Sequence, residues 1–441
     1  MSTPTIIVAA PASGSGKTVV TLGILRALAR RGMRVASFKV GPDYIDPAFH
    51  ERATGRPCYN LDSWAMRFET LAGLLQNLGE GAEIVVGEGV MGLFDGSPDG
   101  RGSTADLAAL FGIPVVLVVE AHKLGQSGAA IAEGFLRFRD DVEVAAVVFN
   151  RVAGAAHAAL LVEACDERFS TPVLGCLPRD PDLVLPERHL GLVQARELEG
   201  VERAIEKAAD LVERHLDLGR LLRLARVPSV TLLASLPRPI PPLGQHVAVA
   251  SDDAFAFHYP SVIDGWRRQG ARVSFFAPLR DEPPTAGCDA VFLPGGYPEL
   301  HAARLSANHG FVSGLREAAA RGAFIYGECG GYMVLGQLLV DGEGREHPMA
   351  GLLPVVTSFA DRALQLGYRR LEVAASTPLG PPQTVYAGHE FHFAREIRRE
   401  GPPLFARVRD SRGRALGPAG AVAGNVAGSF IHLVDLAEPR A

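Results

Sequence analysis

Lysine is nearly missing from this chain: only four of its 44 basic residues, at positions 17, 39, 123 and 207, are lysine, and the rest are arginine. That bias is a habit of coding composition, so each of the few lysines is a candidate for a specific role. Cysteine is also sparse. The five cysteines (58, 165, 176, 288 and 329) are odd in number and widely spread, without a Cys-x-x-Cys pair. Neither a disulfide framework nor a zinc site is indicated, and any special cysteine must be special as a thiol. Long apolar runs are absent as well: stretches such as Ile113 to Val119 fall far short of the ~20 residues that span a bilayer. The polar start Met1-Ser2-Thr3-Pro4 runs into a strand instead of a leader, so a cytoplasmic protein with no membrane partner is expected. No block of like charge stands out in a net charge of −5, which argues against nucleic acid as a partner. What is present is a 47% hydrophobic chain of 441 residues, long enough for two to four domains.

Short β-branched runs alternate with Ala/Leu/Arg-rich helical stretches: Thr5 to Ala10, Arg34 to Val40, Glu83 to Gly87, Pro114 to Val119, Ala145 to Phe149. Continuously apolar strands separated by helices indicate a parallel sheet buried on both faces. Val201 to Leu224 reads as one helix, and Ser229 to Leu233 as a short strand. Four prolines in Pro237-Arg238-Pro239-Ile240-Pro241-Pro242 make a stiff, extended connector. The α/β pattern restarts at Val247 to Ala250, Arg272 to Phe276, Ala290 to Leu293 and Phe324 to Tyr326, and from Gly351 the chain is richer in strands and turns. The expected organisation is two α/β domains, 1–233 and 244–437, each a mostly parallel sheet flanked by helices, joined by 234–243 and ending in a tail, 438–441.

The first strand runs into Pro11-Ala12-Ser13-Gly14-Ser15-Gly16-Lys17-Thr18 and then a helix, Val19 to Arg30. Backbone N–H groups of such a loop donate to phosphate oxygens, the lysine bridges the outer phosphates, and the threonine hydroxyl reaches Mg²⁺. Ser13, Gly14, Ser15, Gly16, Lys17 and Thr18 are therefore the expected triphosphate site, although Pro11 stands where such loops have their first glycine. Partners should lie at the carboxyl ends of neighbouring strands. Lys39 and Asp43-Tyr44-Ile45-Asp46 follow the second, Glu88 and the Gly89–Gly96 loop with Asp95 the third, and Asn150 the fifth. Asp43 and Glu88 are expected to help Thr18 hold the metal. Asp46 and Asp95, which are equally good helix caps or turn formers, are placed against the acceptor, with Lys39 and Tyr44 in the same region and Asn150 against the purine. A dimerising switch ATPase is the rival use of this loop. Those proteins carry an extra early lysine, where this chain has Ala12.

In the second half, Ala323-Phe324-Ile325-Tyr326-Gly327-Glu328-Cys329-Gly330-Gly331-Tyr332 reads as a strand turning sharply at Cys329 into a helix. Small residues at 327, 330 and 331 permit the strained turn that pushes a nucleophile out of a sheet. Backbone N–H groups at Gly296, after the strand Ala290 to Leu293, and at Gly330 are the expected oxyanion donors. His432, read as ending the last strand, is the expected base. A buried structural thiol is the ordinary state of a free cysteine; here elbow, glycines and histidine occur together. Cys165 and Cys176 look buried, while Cys58 and Cys288 read as loop residues.

This order resembles a triad-type glutamine amidotransferase domain behind a dethiobiotin-synthetase-like P-loop domain. Lys39-Val40-Gly41-Pro42-Asp43-Tyr44-Ile45-Asp46-Pro47, Gly89-Val90-Met91-Gly92-Leu93-Phe94-Asp95-Gly96, Pro186-Glu187-Arg188-His189-Leu190-Gly191-Leu192 and Leu293-Pro294-Gly295-Gly296-Tyr297-Pro298-Glu299 look like the cobyrinic or hydrogenobyrinic acid a,c-diamide synthase family. The resemblance implies ATP-dependent amidation of two acetate carboxylates of a corrinoid, through an acyl phosphate, with L-glutamine as nitrogen donor and Mg²⁺ as cofactor. It implies Cys329 as the glutaminase nucleophile and His432 as its activator, and a shielded path for ammonia is expected. The same plan serves nickel-sirohydrochlorin diamidation and cobyric acid synthase, and the arginine-rich composition tilts the reading towards a metal-free macrocycle. A homodimer is the expected assembly. One departure stands out: amidotransferase triads carry Glu two residues after the histidine, and here that position is Val434. Asp435, one further on, should point to the wrong strand face, so the third member is absent or supplied from elsewhere.

Overall fold

Strands buried on both faces read as near-continuous apolar runs, and the first half of the chain supplies them. A computed structural model describes residues 3–181, 183, 187–188, 191–192, 200–229 and 240–437. In it β1 (Thr5–Ala9), β2 (Val35–Val40), β3 (Cys58–Leu61), β4 (Ile84–Glu88), β5 (Val115–Glu120), β6 (Val144–Val152) and β7 (Val173–Pro178) form one parallel sheet in the order β3-β2-β4-β1-β5-β6-β7. β1 lies centrally between β4 and β5. The glycine loop therefore leaves the sheet where ligands of open α/β folds bind, outside the carboxyl ends of the strands.

β3 and β7 are additions to the sequence reading. Cys58 is thus a buried residue of a sheet strand instead of a loop residue, and Cys176 is only partly buried. Helix α1 (Lys17–Arg30) begins two residues earlier than expected, straight after Gly16 in the left-handed region (φ +83°). The stretch 201–224 is two helices, Val201–His215 and Leu218–Leu224. Leu216 is extended between them (φ −117°, ψ 140°), bridging to Gly175, and the Asp217 side chain caps the second helix at the Arg220 N–H.

The chain divides into two units, Met1–Trp64 with Leu71–Leu236, and Ala65–Thr70 with Pro237–Ala441. The expected strand at 229–233, most of the connector 234–243, the tail 438–441 and much of the 186–192 motif lie outside the described residues.

In the second unit a six-stranded sheet runs Arg272–Phe276, His246–Ala250, Ala290–Leu293, Phe324–Glu328, Val426–Ser429 and Ala421–Ala423, parallel except for the last strand. The strand-rich remainder is a four-stranded sheet and a separate five-stranded antiparallel sheet, whose edge strand is His432–Leu436 beside Val385–His392. His432 therefore begins the last strand, where the sequence reading had it at the end. The chain leaves the first sheet at Ser429 and enters the other at His432, so the histidine marks the crossing.

Candidate active site

In the first unit the β1–α1 loop is braced from β6. The Asn150 side-chain amide donates to the Ser15 carbonyl (2.9 Å) and its oxygen accepts the Arg151 N–H (2.9 Å). A methyl group at Gly16 would fall 2.2 Å from the Asn150 amide nitrogen, so only glycine lets the strut approach. Asn150 is committed to the loop itself, and it borders a cavity of about 310 Å³ shared with Glu120, Arg151 and Arg179.

At the carboxyl ends of β2 and β4 a buried ion cluster sits beside Thr18. Glu88, fully buried, accepts the Thr18 hydroxyl (2.6 Å) and the Lys39 ammonium (2.9 Å) on one oxygen, while its other oxygen faces the His50 Nε2 (2.8 Å). Lys39 also reaches Asp46 (2.5 Å) and lies 3.9 Å from Asp43. Burial opposes the Lys39 charge, but the carboxylates of Asp46, Glu88 and Asp43 overcome it and hold its pKa above normal. Burial likewise opposes ionised Glu88, and Lys39 and His50 reverse the sign, so Glu88 stays a carboxylate. Asp46 is pushed up to about 7, first by burial and then by Asp43, against the pull of Lys39. Burial and the neighbouring Lys39 charge lower Lys17.

The other acids have local duties. One Asp43 oxygen accepts the Ile45 and Asp46 N–H groups at the start of helix α2 (Asp46–Thr54). Asp95 accepts the Gly92 N–H of its own turn. Tyr44 is half-buried. His50 was missed in the sequence. It stands one helical turn after Asp46 on α2, and that i, i+4 spacing was the available signal.

In the second unit, Cys329 is the residue at which the strand Phe324–Glu328 becomes the helix Gly330–Leu335, and its backbone is strained (φ +47°, ψ −105°). The turn is pinned by the Cys329 N–H donating to the Ser429 carbonyl (2.8 Å). The next residues after Ser429 lead to His432, so this bond carries the histidine to the cysteine. A Cβ built on Gly295 would lie 2.4 Å from the His432 Cε1, 3.0 Å from its Nε2 and 3.2 Å from the Cys329 Cβ. Cysteine and imidazole thus converge on the one spot kept open by a glycine. A Cβ on Gly330 would lie 3.1 Å from the Gly296 nitrogen, so the two expected oxyanion donors are neighbours.

The thiol is buried, and burial, reinforced by the Glu299, Glu390 and Glu328 charges, pushes its pKa well above the free value. The His432 imidazole, expected as its base, lies beside it at the Gly295 corner. The imidazole Nδ1 lies 3.5 Å from a Glu328 oxygen, while the other Glu328 oxygen accepts the Leu433 N–H (3.0 Å) and the Tyr326 hydroxyl (3.2 Å). Asp435 is buried and holds the Arg67 guanidinium of the same unit (2.8 Å).

Residues 389–392 also went unread. His389 pairs with His432 across the strands. Glu390 accepts from Arg369 (2.7 Å) and faces the His392 Nε2 (3.0 Å), beside a cavity of about 390 Å³. Their signal was present as two histidines and a glutamate inside one short strand.

Two family models match the chain. One, described as a CobQ/CobB/MinD/ParA nucleotide binding domain, matches residues 6–193; the other, a CobB/CobQ-like glutamine amidotransferase domain, matches residues 246–439. A hydrogenobyrinate a,c-diamide synthase of Brucella anthropi is 53% identical over 437 residues, 99% of each chain. Proteins of the same name from a Sinorhizobium species and from Agrobacterium fabrum are 50% and 48% identical over 433 and 437 residues, each covering 98% of this chain and 99% of theirs.

Proposed function

Because the chain belongs to the hydrogenobyrinate a,c-diamide synthase family, we propose that it uses ATP and glutamine to amidate the a and c acetate carboxylates of hydrogenobyrinate. The name shared by relatives from three genera supports the metal-free macrocycle over the cobalt or nickel forms. The single observation that carries the chemistry is the convergence of Cys329, His432 and the Gly296–Gly330 amides at Gly295, on a chain that also bears a braced phosphate loop.

A carboxylate resists ammonia because an oxide is a poor leaving group. In the first unit the carboxylate oxygen attacks the γ-phosphorus, ADP departs, and the acyl phosphate that results can lose phosphate to ammonia. Lys17 and the loop amides orient the phosphates. Lys39 shares a Glu88 oxygen with Thr18 and fixes the positions of the surrounding acids. Mg²⁺ is the cofactor such a loop calls for, and the Thr18 hydroxyl with the Glu88 and Asp43 carboxylates, hard oxygen donors now engaged by Lys39, His50 and backbone N–H groups, would hold it. When bound, the ion neutralises charge on the transferring phosphoryl group. Among the described residues no three His, Cys, Asp or Glu side chains form a metal cage of their own.

In the second unit the Cys329 proton passes to His432, and the sulfur attacks the glutamine carboxamide. The oxyanion is held by the Gly296 and Gly330 N–H groups, and the imidazolium proton leaves with nitrogen as NH₃. Water then hydrolyses the thioester to glutamate. Each amidation uses one ATP and one glutamine. The cytoplasm suits these reactants; among the described residues no helix is long and apolar enough to cross a membrane.

The test is Cys329→Ser with hydrogenobyrinate, ATP and either glutamine or an ammonium salt. Glutamine-dependent diamide formation should vanish and ammonia-dependent formation should persist. Equal loss of both, or retention of glutamine use, overturns the division of labour.

A further inference from the structure

We infer that Glu328, the residue directly before the nucleophile, is the third member of the cysteine–histidine pair, a positioning residue that orients the His432 imidazole to receive the thiol proton. The inference rests on the reading of Cys329 as glutaminase nucleophile given above.

Its first support is where the carboxylate sits. Alternation along Phe324–Glu328 puts Glu328 on the face of Phe324 and Tyr326. It is 6% exposed and borders a small cavity lined by Ile263, Trp266, Phe292 and Leu379. A carboxylate among such groups is costly unless it is hydrogen-bonded and paired. Glu328 is provided for on both oxygens. One accepts the Leu433 N–H and the Tyr326 hydroxyl; the other is turned to the His432 Nδ1 at 3.5 Å.

The second support is the direction of the ring. Nδ1 faces Glu328, while the Nε2–Cε1 edge faces Gly295 and the Cys329 Cβ. A proton held on Nδ1 by the carboxylate leaves the lone pair on Nε2, towards the thiol. The 3.5 Å gap is long for a hydrogen bond. It closes when Nε2 takes the thiol proton and the ring becomes a cation beside a fixed anion, and such catalytic contacts commonly tighten only in the reacting complex.

The nearby Glu390 is engaged by Arg369 and His392. Val434, in the position where the triad glutamate is expected, is buried and apolar, and Asp435 holds Arg67. His389, the cross-strand partner of His432, carries no acid and cannot replace one. Nucleophile and acid therefore come from consecutive residues, separated by the strained peptide that turns the thiol to one side and leaves the carboxylate on the other.

The experiment uses Glu328→Gln in the full chain, with glutamine turnover and ammonia-supported amidation measured side by side. Loss of the oriented proton acceptor should lower kcat for glutamine hydrolysis on the order of 10²-fold or more. The KM for glutamine and the ammonia-supported rate should stay within about threefold of the parent, a change that lies within the spread of one small interaction. In a His432→Ala background the same change should cost nothing further, because the carboxylate acts only through the imidazole. A Glu328→Gln enzyme with parent-like kcat, or a loss that adds to that of His432→Ala, overturns the inference. Should the amide variant not fold, Glu328→Asp keeps the charge and withdraws it from His432 by about one methylene length. Its kcat should fall with ammonia use intact, and a parent-like value overturns the inference. If Cys329→Ser removes glutamine use while Glu328→Gln is parent-like, only this inference fails. If Cys329→Ser retains glutamine use, the nucleophile assignment itself has failed.

Discussion

Gly295→Ala isolates the second site with the smallest possible change. The new methyl carbon would stand 2.4 Å from the His432 Cε1 and 3.2 Å from the Cys329 Cβ. The first is a clash and the second a tight contact that a few tenths of an ångström relieve, so to reach ordinary contact the imidazole must retreat by about 1 Å, a displacement of the size that costs roughly 10²-fold in rate. The methyl also occupies the space between base and nucleophile in which a carboxamide carbon must sit. Gly295 has no left-handed backbone to strain, and its carbonyl accepts the Phe257 N–H (2.9 Å) whatever the side chain. The fold should therefore survive. The assay compares kcat/KM for glutamine-dependent and ammonia-dependent diamide formation, with thermal unfolding as a control. We expect a loss of about 10²-fold or more with glutamine and parent-like values for ammonia. Parent-like glutamine turnover would mean that the Gly295 corner is not where the amide binds, and would refute the geometry drawn above.

Lys17→Ala should lose amidation with either nitrogen source while glutamine hydrolysis at Cys329 continues; measuring glutamate and ADP release in parallel separates the two. Full ammonia-dependent activity in that variant would remove Lys17 from the phosphoryl site. His389 is pushed down to about 3, mainly by burial, with the His432 and Arg369 charges acting in the same direction. The unfolded chain then binds a proton below about pH 6.5 that the folded chain refuses until near pH 3. Stability from this group is thus complete above 6.5 and is lost as pH falls, by up to ~1.4 kcal/mol per pH unit. His389→Gln should flatten the stability profile in that window. Denaturant midpoints at pH 7 and pH 5 measure it, and an unchanged slope means that His389 does not stay neutral.

Much of the fold could be read in advance because its signals are local. A glycine loop between a buried strand and a helix announces phosphate whatever surrounds it, and Gly327, Gly330 and Gly331 around Cys329 announce an elbow. The two mostly parallel sheets follow from short, largely apolar runs, fully buried in β1 and β2. Failures begin where an element is short or of mixed polarity. Cys-Tyr-Asn-Leu makes β3, and its buried thiol faces the His50 Nδ1 (3.5 Å), a pairing that no spacing suggests.

Roles that depend on strands far apart in sequence were harder still. Lys39, Asp46, His50 and Glu88 carry little meaning one by one. Parallel pairing of β2 with β4 sets Lys39 opposite Glu88, and only then do they become a single buried cluster. The same reason explains the missing triad member. The usual signature places histidine and glutamate on one strand, two residues apart, so a reader of the sequence looks downstream of His432 and finds Val434. In this fold the chain changes sheets between Ser429 and His432, and that crossing turns the imidazole back upon the strand that leads into Cys329. Glu328, at the end of the nucleophile's own strand and on the face of Phe324 and Tyr326, is the acid that stands 3.5 Å from Nδ1.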